Sequence, residues 1–205
     1  MEITPLTLVG QHIRLVPLDV SHVIALDTAC MDASDSRRSI WRYLLDARIY
    51  REHGMSGLVA ALLARQAAGT DLPFAIIDNK TGQAIGTTRF MEIDIENRVV
   101  EIGTWIGLSY QREGFNLESK YLLLKHAFEV LKVVRVQFKI DMRNFASIDA
   151  IEKIRAHREG ILRNHIILAD GSPRSSVYFS MLDNEWPAVE VHLENLMARA
   201  SVGVG

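Results

Sequence analysis

Apolar residues along this chain change their period several times, and each change marks an element. His12 to Leu18 alternates polar and apolar side chains, the two-residue period of a half-buried strand. Asp19 and Ser21 then offer caps for a helix running to about Cys30. Ser36 to Ala68 reads as helix in at least two pieces, interrupted near Gly54 and Gly57 and broken by Thr70-Asp71-Leu72-Pro73. Phe74 to Asp78 predicts a strand, Lys80 to Gln83 a turn, and Ala84 to Ile95 a second strand. Glu96-Asn97 turns into a third strand over residues 98–106, rich in β-branched and aromatic residues, which completes an antiparallel meander. Leu117, Tyr121, Leu124, Phe128 and Leu131 recur at helical spacing and predict a helix over 116–132. Val134, Val136, Phe138 and Ile140 alternate with Arg135, Gln137, Lys139 and Asp141, another strand. Asn144 caps a short helix carrying Ile148, Ile151 and Ile154. Gly160–Leu168 and Arg174–Leu182 flank Asp170-Gly171, a hairpin signal, and a small amphipathic helix follows Pro187.

This order describes a mixed α/β (α+β) fold. One domain over residues 1–205 is expected, with a core at about 10–187 and a helical tail at 188–205. A helical crossover joins the third meander strand to the strand over 134–141, so the two should run parallel. If they splay, a cleft opens beside the loop 110–116, where ligands of α/β sheets tend to bind.

Composition narrows the class. The chain has 205 residues, 48% hydrophobic and 23% charged, as in ordinary globular proteins. A net charge of -2 provides no basic footprint for nucleic acid and no reason to invoke a membrane surface. The longest apolar run, Leu58 to Ala64, is far too short to span a bilayer. Met1-Glu2-Ile3-Thr4-Pro5 lacks the pattern of a signal peptide, and the single Cys30 excludes an internal disulfide. A cytoplasmic protein is expected. The seven histidines are scattered without ligand spacing, so no metal is expected.

The candidate chemistry centres on Gln111-Arg112-Glu113-Gly114-Phe115-Asn116, a Gly-bearing loop that opens a helix. Such a loop gathers backbone N–H groups at the positive end of a helix dipole, where a phosphate or pyrophosphate can bind. Around it, in order, stand Gln11-His12-Ile13-Arg14-Leu15, Gly86-Thr87-Thr88-Arg89-Phe90, Glu101-Ile102-Gly103-Thr104-Trp105, Arg143-Asn144 with Ser147 and Glu152-Lys153, Arg158-Glu159-Gly160 and Asp170-Gly171. This ordered set resembles the GNAT superfamily of acetyl-CoA-dependent N-acetyltransferases, more narrowly its RimJ/RimL-like branch that acetylates ribosomal proteins. The resemblance covers about residues 10–187. Gln111 to Asn116 matches the family's Q/R-x-x-G-x-G/A pyrophosphate loop.

The resemblance implies a GNAT fold and acetyl-CoA as cosubstrate. It implies that Ile102, Gly103, Thr104, Trp105 and Ile106 pair by backbone with the pantetheine arm. Amides around Gln111, Arg112, Glu113, Gly114, Phe115 and Asn116 would hold the pyrophosphate. Asn144 would hydrogen-bond near the thioester, unless it serves only as a helix cap. The sequence departs from the family pattern at three places. Asn116 stands where many members have Gly or Ala, and is a fair N-cap. Glu113 puts a carboxylate in an anion loop, at ~0.6–2.4 kcal/mol per charge pair at about 7 Å. Arg155 stands where relatives often end the helix on Gly, so that helix is expected to end differently.

Acetyl transfer to an amine needs a neutral amine, a polarised carbonyl and an acid for the leaving thiolate. An α-amino group titrates near pH 8 and a lysine near about 10.4, a gap worth ~3.4 kcal/mol, so an N-terminus asks less of the base. Glu101 is the base candidate, acting through water, on the strand face it shares with Gly103 and Trp105; the alternative is a strand carboxylate paired with a neighbour such as Arg89. The tyrosine that many GNAT enzymes use as acid is replaced by Ile151, which leaves Ser147, the serine of the RimL-like branch, as the candidate contact for the thiolate. Trp41, Arg42 and Tyr43, with Arg89, lie where the resemblance places the acceptor, though the aromatic rings also suit core packing. Trp105 and Trp186 read as core. The expected function is direct transfer of an acetyl group to a primary amine, a protein N-terminus or a small amine. The alternative is a catalytically silent CoA-binding sensor or assembly module. A homodimer through the last hairpin or the tail is a further expectation.

Overall fold

The computed structural model describes residues 3–31, 40–111, 113–168 and 170–202. Among the described residues, eight strands form one sheet: β1 (Leu8–Val9), β2 (Ile13–Pro17), β3 (Leu72–Asp78), β4 (Ala84–Asp94), β5 (Val99–Ile106), β6 (Arg135–Asp141), β7 (His157–Ile167) and β8 (Pro173–Leu182). Their spatial order is β1-β2-β3-β4-β5-β6-β8-β7, and every neighbouring pair is antiparallel except β5 and β6. The described residues also form the helices α1 (Val23–Met31), α2 (Ala47–Ala67), α3 (Phe115–Lys125), α4 (Phe145–Lys153) and α5 (Trp186–Val202). This is the GNAT fold that the sequence resemblance implies. Among the described residues, no helix is long and apolar enough to cross a membrane.

The pleat of β3 divides the core. Phe74 and Ile76 point into one cluster, with Leu123, Leu124 and Ala127 of the α3 region, Ile151 of α4 and Leu193 of α5. Ala75 and Ile77 point the other way, against Leu26 and Cys30 of α1 and Met55, Leu58, Val59 and Leu62 of α2. Because both faces are covered, all seven residues of β3 are buried. Phe128 stacks on Trp186 at 5.6 Å and ties the end of the α3 region to α5.

The parallel pair opens the sheet. β5 and β6 are in register only at Val99↔Arg135, Val100↔Val136 and Glu101↔Gln137. Beyond Glu101, β5 stays bonded to β4 as far as Ile106, and β6 stays bonded to β8 as far as Asp141. Each strand is held from its outer side while the inner sides part, so a V-shaped opening forms at their carboxyl ends.

Several local expectations need correction. The helix expected over 116–132 begins at Phe115 and changes at His126–Val130 into a π-helical turn, closed by Leu131 N–H donating to His126 O at 3.0 Å. Asn116 is not its cap: Gly114 is, in a left-handed conformation with φ 84°. Leu72 and Pro73, expected to break structure, already belong to β3. The tail is longer than a small helix, since α5 starts at Trp186 and runs to Val202. Arg155 takes a left-handed φ of 65°, the conformation that favours glycine, so α4 ends in the common way despite the side chain.

Candidate active site

The splay shapes a cavity of about 160 Å³ lined by residues of β4, β5, β6, β8, α3, α4 and the segment before α2. Of the residues singled out by sequence, Glu101, Ile102, Gly103, Thr104, Trp105, Asn116, Asn144, Ser147, Tyr43 and Arg89 line it. Ile106 is buried in the core beside it, and Trp41 stacks on Tyr50 at 4.1 Å, 5.6 Å from Trp105. Arg112 lies outside the described residues. Gln111, Glu113, Gly114 and Phe115 sit at the entrance to α3 rather than in the cavity. Gln111 Nε2 donates to Ile106 O at 3.2 Å, which holds the loop against the end of β5.

Gly114 explains the loop. Its left-handed φ suits glycine, and a Cβ placed there would meet nothing within 4 Å, so the space in front of the backbone is open. As the N-cap it has no side chain to satisfy the first-turn amides of α3, which point outward at the positive end of the helix. Glu113 is exposed. A pyrophosphate therefore fits the donor set of this turn.

Glu101 is 3% exposed and 3.2 Å from Lys139 Nζ, with Gln137 Nε2 donating to the same Oε2 at 3.4 Å. Burial pushes its carboxyl above the usual glutamate range, and Lys139 only partly opposes this. Its ion-pair partner is Lys139, whereas the alternative reading of a paired strand carboxylate offers Arg89 as an example. Arg89 instead reaches Asp46 at 2.8 Å and Asp71 at 3.1 Å. Asp46 also pairs with Arg65 at 3.1 Å, and these pairs fasten the wall that carries Tyr43. Asn144 caps α4 by accepting from Ser147 N–H at 3.2 Å, and both residues face the cavity. Asp141 is fully buried; burial raises its carboxyl, but the side-chain and backbone hydrogen bonds from Arg143 outweigh this and hold it below the usual range.

Three lining cations escaped the sequence reading. Lys139 alternates with the apolar residues of β6, as any solvent-facing strand residue would, and nothing local marks it. Arg174 donates to Ser176 Oγ, Tyr43 O and Lys139 O at 3.0–3.2 Å, contacts that no local pattern foretells. Lys120 did leave a signal. It lies three residues after Leu117 and four before Leu124, inside the apolar stripe that predicted the helix.

The chain is similar to known proteins along most of its length. The Acetyltransferase (GNAT) domain family matches residues 12–157. The protein named uncharacterized N-acetyltransferase p20 of Bacillus licheniformis is 33% identical over 113 residues, 55% of this chain. That stretch spans 63% of the relative, less than two thirds of its length. A GCN5-related N-acetyltransferase from Brucella melitensis superposes with a TM-score of 0.83 at 27% identity, covering 94% of this chain and 86% of that one. Mycobacterium smegmatis RimJ, solved with CoA-disulfide, shares the fold at 18% identity with a TM-score of 0.81, over 95% of this chain and 96% of that one. A family match over residues 12–157 thus falls on the strands that splay and the helices that flank the opening, and the chain belongs to the GNAT acetyltransferases.

Proposed function

We propose that this chain uses acetyl-CoA to acetylate a primary amine by direct transfer in a ternary complex. The supporting observation is the end of β5–β6 pairing at Glu101, which opens one cavity onto the base candidate, the backbone of Ile102–Thr104, Asn144 and Ser147. In this reading the diphosphate of CoA lies on the first-turn amides of α3, and the pantetheine arm pairs with β5 in place of the absent neighbouring strand. Glu101, made more basic by burial, removes the amine proton through water. Asn144 and Ser147 orient the thioester end, and Tyr43 borders the amine. An α-amino group suits this base better than a lysine, because more of it is neutral near pH 7. A protein N-terminus is therefore the preferred acceptor class, and ribosomal-protein N-termini, the acceptors of the branch that the sequence resembles, are the first ones to try.

A second reading, a silent CoA-binding module, is favoured by the Glu101–Lys139 ion pair and by Ile151 where a tyrosine acid is common. Release of free thiol from acetyl-CoA in the presence of N-terminal peptides and small amines separates the two. The transferase reading expects amine-dependent release that is strongly reduced in Glu101→Ala. CoA binding without release for any amine, or an unchanged rate in Glu101→Ala, overturns it.

A further inference from the structure

Lys120 is a buried cation for which the reading above has no use. It is 6% exposed, lines the cavity with Asn116, Asn144 and Ser147, and its Nζ donates to Asn116 Oδ1. From the second turn of α3 its side chain leans back toward the helix N-terminus, as helical side chains do. The cavity's carboxylates are already engaged elsewhere: Asp46 with Arg89 and Arg65, Glu101 with Lys139, Asp141 with Arg143. Among the described residues, no carboxylate forms an ion pair with Lys120. An ammonium removed from water without a counter-charge is costly, and such a site gains when an anion arrives.

Asn144 and Ser147, which orient the thioester end in the transferase reading, line the same cavity as Lys120. The anion formed at that end during transfer is the departing thiolate. Resting on the N-acetyltransferase reading, we propose that the Lys120 ammonium receives the departing CoA sulfur and gives it a proton. As the amine nitrogen bonds to the carbonyl carbon, the carbon–sulfur bond breaks and its electron pair leaves with sulfur. Lys120 hands one proton to that thiolate and becomes a neutral amine, then regains a proton from water. The proton shed by the new amide nitrogen passes to Glu101 through water. Asn116 holds the ammonium in position. Burial draws Lys120 down to about 8, close to an ordinary thiol, so it is largely protonated at neutral pH yet able to release a proton. The other charged groups on the cavity are Asp46, Arg89, Glu101, Lys139, Asp141 and Arg174, and each of these carboxylates is already paired with a cation. Ile151 removes the usual tyrosine from the same cavity, and Lys120 supplies a different acid.

The test titrates the thiol of CoA bound to the full chain, by thiolate ultraviolet absorption, in the unaltered protein, Lys120→Met and Lys120→Arg. Methionine replaces a buried cation with an apolar chain of similar length, a change cores commonly accept. The bound thiol is expected to ionise about tenfold less readily in Lys120→Met. With the charge retained in Lys120→Arg, its ionisation should be near that of the unaltered protein. Turnover should fall about 10²- to 10⁴-fold in both variants, the range for loss of a general acid, because a guanidinium keeps its proton. An unmoved thiol titration in Lys120→Met, or full turnover in either variant, overturns the assignment and leaves the transferase reading standing. Failure of CoA to bind the unaltered protein overturns both.

Discussion

At Glu101 two requirements compete. A base needs a lone pair and an elevated basicity, and burial supplies the second by making the charged form expensive. Lys139 at 3.2 Å returns part of that charge stabilisation, so the carboxylate exists in the cavity without losing all its basicity. The rate should therefore rise with pH through a Glu101 titration displaced upward from an ordinary glutamate, since only the deprotonated form accepts the amine proton. In Glu101→Gln that acidic limb should vanish from the kcat/KM profile, with a loss of about 10²- to 10⁴-fold. A limb that persists unchanged in the glutamine variant belongs to another group. Single residues also show where spacing misleads. Trp41 and Tyr43 are two positions apart, yet the first stacks inside the α1–α2 core and the second borders the cavity. Asn116 has the chemistry of a cap but stands two positions past the cap that forms.

At the scale of elements, α3 carries the site and is braced from outside it. Glu118 in its first turns is 5% exposed and accepts from the backbone N–H of Gln11 and, at 3.1 Å, of His12. Gly10 lets the strand connection come this close, since a Cβ there would clash with the Glu118 carboxylate. The motif around Gln11 and His12, far from the cavity, thereby anchors the helix whose N-terminus faces it. Glu118→Ala strands those N–H groups and should lower stability by about 1–3 kcal/mol in urea denaturation. A loss below a few tenths of a kcal/mol would mean that water takes over the bonds. The π-helical turn at His126–Val130 shifts the phase of the stripe at the far end, so Phe128 meets Trp186. Spacing alone reads through such a turn as continuous helix.

On the scale of the whole molecule, the sheet is divided rather than continuous. β1 to β5 form one arm and β6 to β8 the other, sharing only three register pairs near the start of β5 and β6. Helices α1 and α2 close one face, and α3 and α5 the other, so the gap opens only at the carboxyl ends. A ligand that inserts between the arms replaces missing strand bonds and stabilises the folded chain through mass action. With CoA at about a hundred times its Kd the gain is about 2.7 kcal/mol, which for this length raises Tm by about 5–11 °C. Thermal unfolding with and without CoA measures this, and an unmoved midpoint contradicts a CoA-shaped opening.

The order of elements, the meander, the parallel pair and the Gly114 turn were legible in the sequence, because each rests on interactions local to a few residues: periodicity, turn chemistry and a glycine where φ is positive. Their ordered spacing also carried the family. The partners of charged groups were not legible. Glu101 meets Lys139 across a strand pair, Arg89 meets Asp46 across 43 positions, and Arg174 reaches Tyr43 across 131. Only the tertiary structure decided those pairings and left Lys120 without a carboxylate among the described residues, because charge compensation inside a protein depends on which distant side chains share a low-dielectric space.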